Sequence, residues 1–282
     1  MATIRSTLAS AAVAAAVLAT PSSSIDATAA EPQAAGSIAV AYSIAFWGIP
    51  FGETNYQGRF SGTGYAASSH FETSGIVSLF WQAIIDASAN GKISPHSLDP
   101  RQYDSFYRRG GDKKERVQVT FENGAVKTFA DPPYDTSKFP VTDSEKREAV
   151  DPMSAVTLIL SGIRADGANP CGTAAPVFDG RRRYDIEFTY LKDEPVTLPD
   201  GLFHGTAHLC QLHYRQIAGF KPKILKEGAA FPPIYGDFGD FPASHSPNGR
   251  YVVALKLWSR LKWGIVSAAL TKFTTTAEAP NG

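Results

Sequence analysis

The stretch RYDIEFTYL, residues 183–191, decides the fold class. Apolar and aromatic side chains occupy every second position in it, namely Tyr184, Ile186, Phe188 and Tyr190. A period of two puts successive side chains on opposite faces of a β-strand, whereas a helix would place Ile186 almost opposite Phe188. We therefore predict a strand over residues 183–191 with these four side chains in the core. We expect it to form a hairpin with residues 205–214.

The same alternation recurs along most of the chain. Two Asn-Gly pairs, at Asn123-Gly124 and Asn248-Gly249, stand before or between alternating segments and favour tight hairpin turns. We predict further strands at residues 37–47, 53–60, 64–71, 117–121, 125–129, 251–258 and 261–273.

Two segments fit helical spacing better than strand spacing. Residues 74–89 have Ser74 as a possible cap, an Asn90-Gly91 stop and an apolar face of Ile76, Phe80, Ala83, Ile84 and Ala87. Residues 151–162 have Asp151 as the cap, Pro152 in the first turn and an apolar face of Met153, Val156, Ile159 and Leu160.

The fold class that follows is mainly β, or α+β. We predict a single long curled antiparallel sheet, or a partly open barrel or spiral, with one or two short helices packed on or inside it. The Pro- and Gly-rich stretches at 130–140 and 231–247 are predicted loops. Residues 31–282 are predicted to be one domain, with 31–36 and 275–282 disordered.

The first thirty residues have the layout of a secretory signal peptide. Arg5 is followed by a twelve-residue apolar run at 8–19 and then by small residues that suit a cut after Ala29 or Ala30. Twelve apolar residues are too few to span a membrane, which takes about twenty. We therefore predict export to the periplasm without a transmembrane segment in the mature chain.

The chain has two cysteines, Cys171 and Cys210, and both follow the predicted cleavage site. In an oxidising compartment an isolated pair of thiols favours one disulfide, and the alternative is two free buried thiols. Such a bond would stabilise the fold by roughly 3–4 kcal/mol on the chain-entropy model.

Charge and motifs exclude several classes of function. With 27 basic and 27 acidic residues the formal net charge is zero, which argues against nucleic-acid binding. The sequence contains no G-x-S-x-G, P-loop, G-x-G-x-x-G or H-E-x-x-H motif. It therefore identifies no catalytic residue and calls for no cofactor, and we expect a protein that is not an enzyme.

Three histidines, His204, His208 and His213, lie close in sequence. On a strand, His204 and His208 would share a face about 13 Å apart, which is too far for one metal ion without a sharp bend. We expect no metal site and interpret them as hydrogen-bonded or surface histidines.

Three consecutive arginines, Arg181, Arg182 and Arg183, lead into the strand quoted above. Their guanidinium groups could together hold a lipid phosphate or a carboxylate. The alternative, which we favour, is internal pairing with Asp179, Asp185 and Glu187.

The order of several motifs resembles a known family. The run DPMSAVTLIL, then Cys171, then VFDGRRRYDIEF, then Cys210 followed by HYRQIAGF is similar to domain-of-unknown-function family 3108 (DUF3108). The resemblance implies an exported bacterial envelope protein with no assigned reaction, and it implies no catalytic residues. More loosely, an exported curled sheet with inserted helices is similar to the lipoprotein-carrier type of fold, in which an incomplete barrel holds acyl chains.

The leading functional hypothesis is a periplasmic, non-enzymatic protein that binds a lipid-like or protein ligand in support of the cell envelope. The 4 Trp, 11 Tyr and 17 Phe, all at or after Tyr42, suit the core of a large curved sheet and also an apolar pocket. The alternatives are a periplasmic hydrolase and a structural scaffold.

Overall fold

Thirteen strands form one antiparallel sheet in a computed structural model that describes residues 35–111, 113–163, 171–227 and 231–277. The predicted leader, residues 1–30, lies outside the described residues. All strands belong to one unit, Gln33–Gly282. The strands are β1 (Ala35–Phe46), β2 (Ile49–Ser61), β3 (Gly64–Thr73), β4 (Ala83–Ile93), β5 (Leu98–Arg109), β6 (Lys113–Glu122), β7 (Ala125–Asp131), β8 (Ala175–Phe178), β9 (Arg183–Thr197), β10 (His204–Ala218), β11 (Ile234–Pro242), β12 (Arg250–Leu261) and β13 (Gly264–Ala277).

The sheet is an up-and-down meander in two halves. Strands β1 and β13 pair in the middle, the first half runs outward from β1 to β7, and the second half runs from β13 to β8. Strands β7 and β8 end the order, so the sheet is not closed among the described residues. The mainly β fold with one curled sheet is confirmed.

The helices are α1 (Asp143–Arg147), α2 (Pro152–Leu160) and α3 (Pro222–Glu227), with 3₁₀ turns at Gly75–Leu79 and Pro199–Gly201. The second helix contacts β3, β4 and β5 in one half of the sheet and β8 and β12 in the other. One short helix can touch both halves because the twisted sheet curls around it. The predicted helix at 151–162 is thus confirmed, and it lies inside the sheet.

The two edges of the sheet approach each other at the turn between β8 and β9. A Cβ on Gly180 would lie 2.5 Å from Val117 Cγ1 and 3.3 Å from Thr128 Cγ2, so this turn packs directly on β6 and β7. The outer edge of β8 is covered by a bridge between Val177 and Val150. These contacts cover edges that would otherwise be free to pair with another chain.

The hairpin turn predicted at Asn123-Gly124 and the β9–β10 hairpin are confirmed, whereas Asn248-Gly249 lies at the end of the longer connection 243–249 and is not a two-residue hairpin turn. Asn123 and Gly124 have φ of 50° and 75° between β6 and β7, as the mirror-image hairpin turn requires. Strand β9 pairs with β10 over its whole length, as predicted for residues 183–191 and 205–214.

The predicted helix at 74–89 is wrong. Ser74 makes no capping hydrogen bond, and the segment forms a 3₁₀ turn followed by β4, which pairs with β3 and β5. Its apolar residues also fit a period of two, because Ala83, Ile85, Ala87 and Ala89 alternate along β4. Ladder pairing on both sides outweighs the local helical spacing.

The predicted loop at 231–247 is also wrong, because it contains β11. A Cβ on Gly236 would lie 2.7 Å from the ring of Phe238, and one on Gly239 would lie 2.6 Å from the ring of Phe203. These glycines therefore make room for aromatic rings within a buried strand. At 130–140 the strand β7 reaches Asp131, and the rest has no regular structure.

The predicted disorder at the ends is corrected where the structure describes them. Residues 35–36 belong to β1 and residues 275–277 to β13, and these segments pair with each other. Residues 31–34 and 278–282 lie outside the described residues.

A trough above a buried helix as the candidate functional site

The N-terminal turns of α2 are held by a buried hydrogen-bond network. The Asp151 carboxylate caps the helix by accepting the Ser154 N–H at 2.9 Å, and it also accepts the Ser154 hydroxyl. The hydroxyl of Ser154 lies 2.6 Å from that of Tyr65, and the Thr157 hydroxyl lies 2.8 Å from that of Tyr56. This network orients α2 inside the sheet, as satisfied buried polar groups do.

Burial raises the pKa of Asp151 to about 6, because the charged carboxylate is desolvated, although the Ser154 hydrogen bonds oppose the rise. Burial likewise raises the pKa of Tyr56 and Tyr65. Neither Asp151 nor Ser154 has exposed surface. A substrate cannot reach this network, so it positions the helix and is not an active site.

The apolar side of α2 is buried only in part. Met153, Val156 and Ile159 are three residues apart and form one stripe along the helix. Met153 and Leu160 are buried as predicted, but Val156 is 41% exposed. The Met153 sulfur accepts the Ser69 hydroxyl at 3.2 Å, and Ser69 lies four residues beyond Tyr65 along β3. The apolar stripe therefore faces the far end of β3.

That end of the sheet carries the β1–β2, β3–β4, β5–β6 and β12–β13 connections, and also the β8–β9 and β10–β11 connections, because the strands alternate in direction and Phe46 pairs with Val266. We call it the open end. Near it, Phe71, Ile85 and Tyr107 are neighbours in register on the side of the sheet that faces α2. Ile85 is 36% exposed, and Phe71 and Tyr107 are half-buried.

The same strands are buried on that side farther from the open end, at Tyr65, Ala67, Ala89 and Tyr103. The helix thus covers one part of the concave face and leaves the other accessible. We call this accessible strip the trough, and it consists of Phe71, Ile85 and Tyr107 together with Val156, which is exposed on the helix that this side of the sheet faces. An accessible concave surface with apolar walls is the usual setting of a ligand site.

A second apolar cluster, against which Ile159 of α2 packs, is built around the disulfide. Cys171 and Cys210 are bonded, as predicted, with Cα atoms 6.0 Å apart. The bond lies in an apolar cluster with Phe238, Val252 and Ala254, against which Ile159, Phe188, Leu212 and Leu257 pack. Because Cys171 follows α2 in the chain and Cys210 lies in β10, the bond ties the region after the helix to the sheet.

The burial pattern predicted for residues 183–191 is confirmed only in part. Tyr184, Ile186 and Phe188 pack on apolar clusters that include α2 side chains, but Tyr190 is exposed. Arg183 and Asp185, expected on a polar outer face, are buried. The segment before α2 crosses that outer face, since the Glu145 carbonyl accepts the Arg183 Nε–H at 3.3 Å.

The three arginines point to different partners. The Arg181 guanidinium lies 5.1 Å from the Tyr134 ring centroid, and that of Arg182 lies 5.6 Å from the Phe220 ring centroid. Arg183 forms a buried ion pair with Asp185, which also pairs with Arg215. The internal-pairing alternative thus accounts for Arg183. The structure does not bring the three guanidinium groups together for one anion.

Two of the three neighbouring histidines form hydrogen bonds with nearby side chains, and the third is exposed. His204 Nδ1 lies 2.9 Å from the Thr197 hydroxyl, His208 Nδ1 lies 2.6 Å from an Asp193 carboxylate oxygen, and His213 is exposed. Across the described part of the chain, no cluster of three His, Cys, Asp or Glu residues could hold a metal ion.

Sequence reasoning missed the trough itself. Phe71 and Ile85 belong to strands β3 and β4, and the second of these was interpreted as a helix. The signal that could have found it was the alternation Ala83, Ile85, Ala87 and Ala89, which fits a strand of the same sheet.

The fold and the trough together define a class of protein: an antiparallel sheet curled around one helix, with an apolar concavity and no assigned reaction. The chain belongs to the family described as "Protein of unknown function (DUF3108)", whose model matches residues 39–228. This agrees with the resemblance of its motifs.

Comparison with curated proteins and with solved structures assigns no function to the chain. No curated protein matches the chain. One solved structure, a β-barrel-like protein of domain of unknown function DUF1849 from Brucella abortus, is similar with a TM-score of 0.45 and 11% sequence identity. The match covers 86% of this chain and 98% of that chain. In the described residues, no helix has both the length and the apolar character that crossing a membrane requires.

Proposed function

We propose that this protein is exported to the periplasm, is not an enzyme, and binds a lipid-like ligand in the trough in support of the cell envelope. The observation that carries the proposal is the orientation of α2. This helix buries Ser154 and Thr157 in hydrogen bonds and leaves its apolar Val156 accessible. The helix also buries Met153, Ala155 and Leu160. A helix placed only to complete a core, however, would bury Val156 as well, because burying apolar surface stabilises a fold at about 25 cal/mol per Å².

The chemistry of the trough favours an acyl chain with an anionic headgroup. The trough residues carry no charge, and an acyl chain would cover apolar surface that is now accessible. Arg109 is exposed and lies two residues beyond Tyr107, on the same face of β5. An anionic headgroup at the mouth of the trough could therefore pair with Arg109.

Export is supported by the leader pattern at residues 1–30 and by the Cys171–Cys210 bond, which suits an oxidising compartment. The N-terminal sequence of the protein isolated from its native host tests it. A mature chain that starts at residue 30 or 31 is expected, and an intact Met1 in the envelope fraction would contradict export.

Ligand binding is tested with a matched pair of variants in β4. Ile85 faces the trough, and Ile84 next to it faces the outside of the same strand. We expect Ile85→Lys to weaken binding of a fluorescent fatty acid about tenfold or more, because it places a charge against the acyl chain. Ile84→Lys should leave the affinity unchanged.

Equal affinities for the two variants, or no binding by folded wild-type protein, would refute the trough as the site. Mass spectrometry under native conditions, on protein from periplasmic extract, should show a bound amphiphile that Ile85→Lys lacks. Release of a cleaved lipid would favour the hydrolase alternative instead.

A further inference from the structure

Large apolar side chains are exposed together at the open end of the sheet. Trp47 is 69% exposed in the β1–β2 turn, Phe80 is 86% exposed before β4, and Trp263 is 74% exposed in the β12–β13 turn. Ile49 and Leu79 beside them are also exposed. Of the four tryptophans in the chain, Trp47, Trp81 and Trp263 lie in these three connections.

The three connections form one continuous surface. The backbone N–H of Trp47 donates to the backbone carbonyl of Ile265 at 2.9 Å, so the β1–β2 turn lies against the start of β13, next to the β12–β13 turn. The Ser74 N–H donates to the Phe51 carbonyl at 2.8 Å, which joins the β3–β4 connection to the same hairpin. A clustered apolar patch on a polar protein marks an interaction surface, unlike single scattered side chains.

Basic residues flank this apolar surface. Lys262 lies with its Nζ 5.0 Å from the Trp263 ring centroid, and it is the one charged residue in the sequences 46–51, 74–82 and 261–265. The Gly110 N–H donates to the Gln82 carbonyl at 2.9 Å, which places the β5–β6 connection beside the β3–β4 connection. The strand ends on either side of the β5–β6 connection carry four exposed basic side chains, namely Arg108, Arg109, Lys113 and Lys114.

Tryptophan with lysine and arginine is the combination that suits a membrane interface. The indole ring has an apolar body and a polar N–H, and it is enriched at the level of lipid headgroups. Basic side chains beside it attract anionic headgroups. The combination of protruding tryptophan and phenylalanine side chains with a basic flank therefore favours a lipid surface as the partner.

We infer that the open end docks on the surface of an anionic lipid bilayer, with Trp47, Phe80 and Trp263 reaching the headgroup region and the β5–β6 basic residues beside them. This is an interaction surface in addition to the trough, and it does not require that the trough holds a ligand. The partner is the bilayer surface.

The inference is tested by flotation of the full-length mature protein with vesicles of phosphatidylcholine, with and without phosphatidylglycerol. We expect binding to the anionic vesicles and a shift of tryptophan emission to shorter wavelength, both lost at high salt. Phe80→Ser should weaken vesicle binding about tenfold, since it removes one inserted aromatic side chain. Phe129→Ser, which removes an exposed phenylalanine from the outside of β7, is the matched control and should bind like the wild type.

Lys113→Glu combined with Lys114→Glu should weaken binding to anionic vesicles and leave any weak binding to neutral vesicles unchanged. Absence of vesicle binding by folded wild-type protein would overturn the inference. So would equal loss in Phe80→Ser and Phe129→Ser. A concentration-dependent dimer without vesicles, abolished by Phe80→Ser, would show that a second copy covers the surface, and it would overturn bilayer docking.

Discussion

Replacing Asp151 by Asn should change how the stability of the protein depends on pH. Burial raises the pKa of Asp151 from 3.8 to about 6 in the folded protein. The folded state therefore binds this proton more tightly than the unfolded state does. The stability contributed by the group is greatest below about pH 4, falls as the pH rises toward 6, and is constant above that. A shift of about 2 units corresponds to about 3 kcal/mol.

Asn is a suitable replacement because it caps helices about as well as Asp and its side-chain oxygen can still accept the Ser154 N–H. Urea unfolding of both proteins between about pH 4 and pH 8 gives the difference in unfolding free energy at each pH. Contributions from all other titrating groups are common to both proteins and cancel in that difference.

We expect the unfolding free energy of Asp151→Asn, relative to wild type, to increase by about 2 kcal/mol between pH 4 and pH 7, because part of the total change of about 3 kcal/mol already occurs below pH 4. A difference that does not vary with pH would show that Asp151 titrates normally in the folded state. A difference that decreases with pH would show that the Ser154 hydrogen bonds outweigh desolvation. Either result would refute the account of α2 as a helix capped by a desolvated carboxylate.

Three further predictions concern stability. Replacing Cys171 and Cys210 together by Ala should lower the unfolding free energy by about 3–4 kcal/mol, and a change near zero in non-reducing conditions would contradict a bond that constrains the unfolded chain. Arg183→Ala should cost about 2–3 kcal/mol, because it removes one of the two guanidinium partners of the buried Asp185 carboxylate and leaves only that of Arg215, and a cost typical of a surface residue would refute burial of the pair. In denaturant melts Phe188→Ala should cost about 3 kcal/mol and Tyr190→Ala less than about 1 kcal/mol, because Phe188 packs edge-on against another ring whereas Tyr190 is exposed. If Phe188→Ala and Tyr190→Ala lowered the unfolding free energy equally, the core would not end between these two residues of β9.

Part of the candidate site could be predicted from local sequence. The cap at Asp151, the proline in the first turn and the following apolar residues are contiguous signals, and the helix formed where they predict it. Which side of that helix is buried could not be predicted, because Ser154 and Thr157 are buried by hydroxyl groups from β2 and β3 that lie about a hundred residues earlier in the chain. Binary patterning alone assigns such polar residues to the surface.

The sequence alone determined the class of fold and most of its strands, together with the Asn123-Gly124 turn and the pairing of its two cysteines. The strands and the turn depend on the period of the side chains and on turn chemistry, which are local properties of the sequence. Two cysteines can pair with each other in one way only. Tertiary structure decided between the helical period and the strand period, which residues 83–89 both fit, and it alone decided that β11 runs through a glycine-rich segment, because ladder pairing and ring packing come from distant strands. It also decided where the three arginines point and which apolar side chains remain accessible. A concave surface exists only after two halves of a sheet have curled around one helix, so the trough and the exposed aromatic end belong to the fold and not to any single segment.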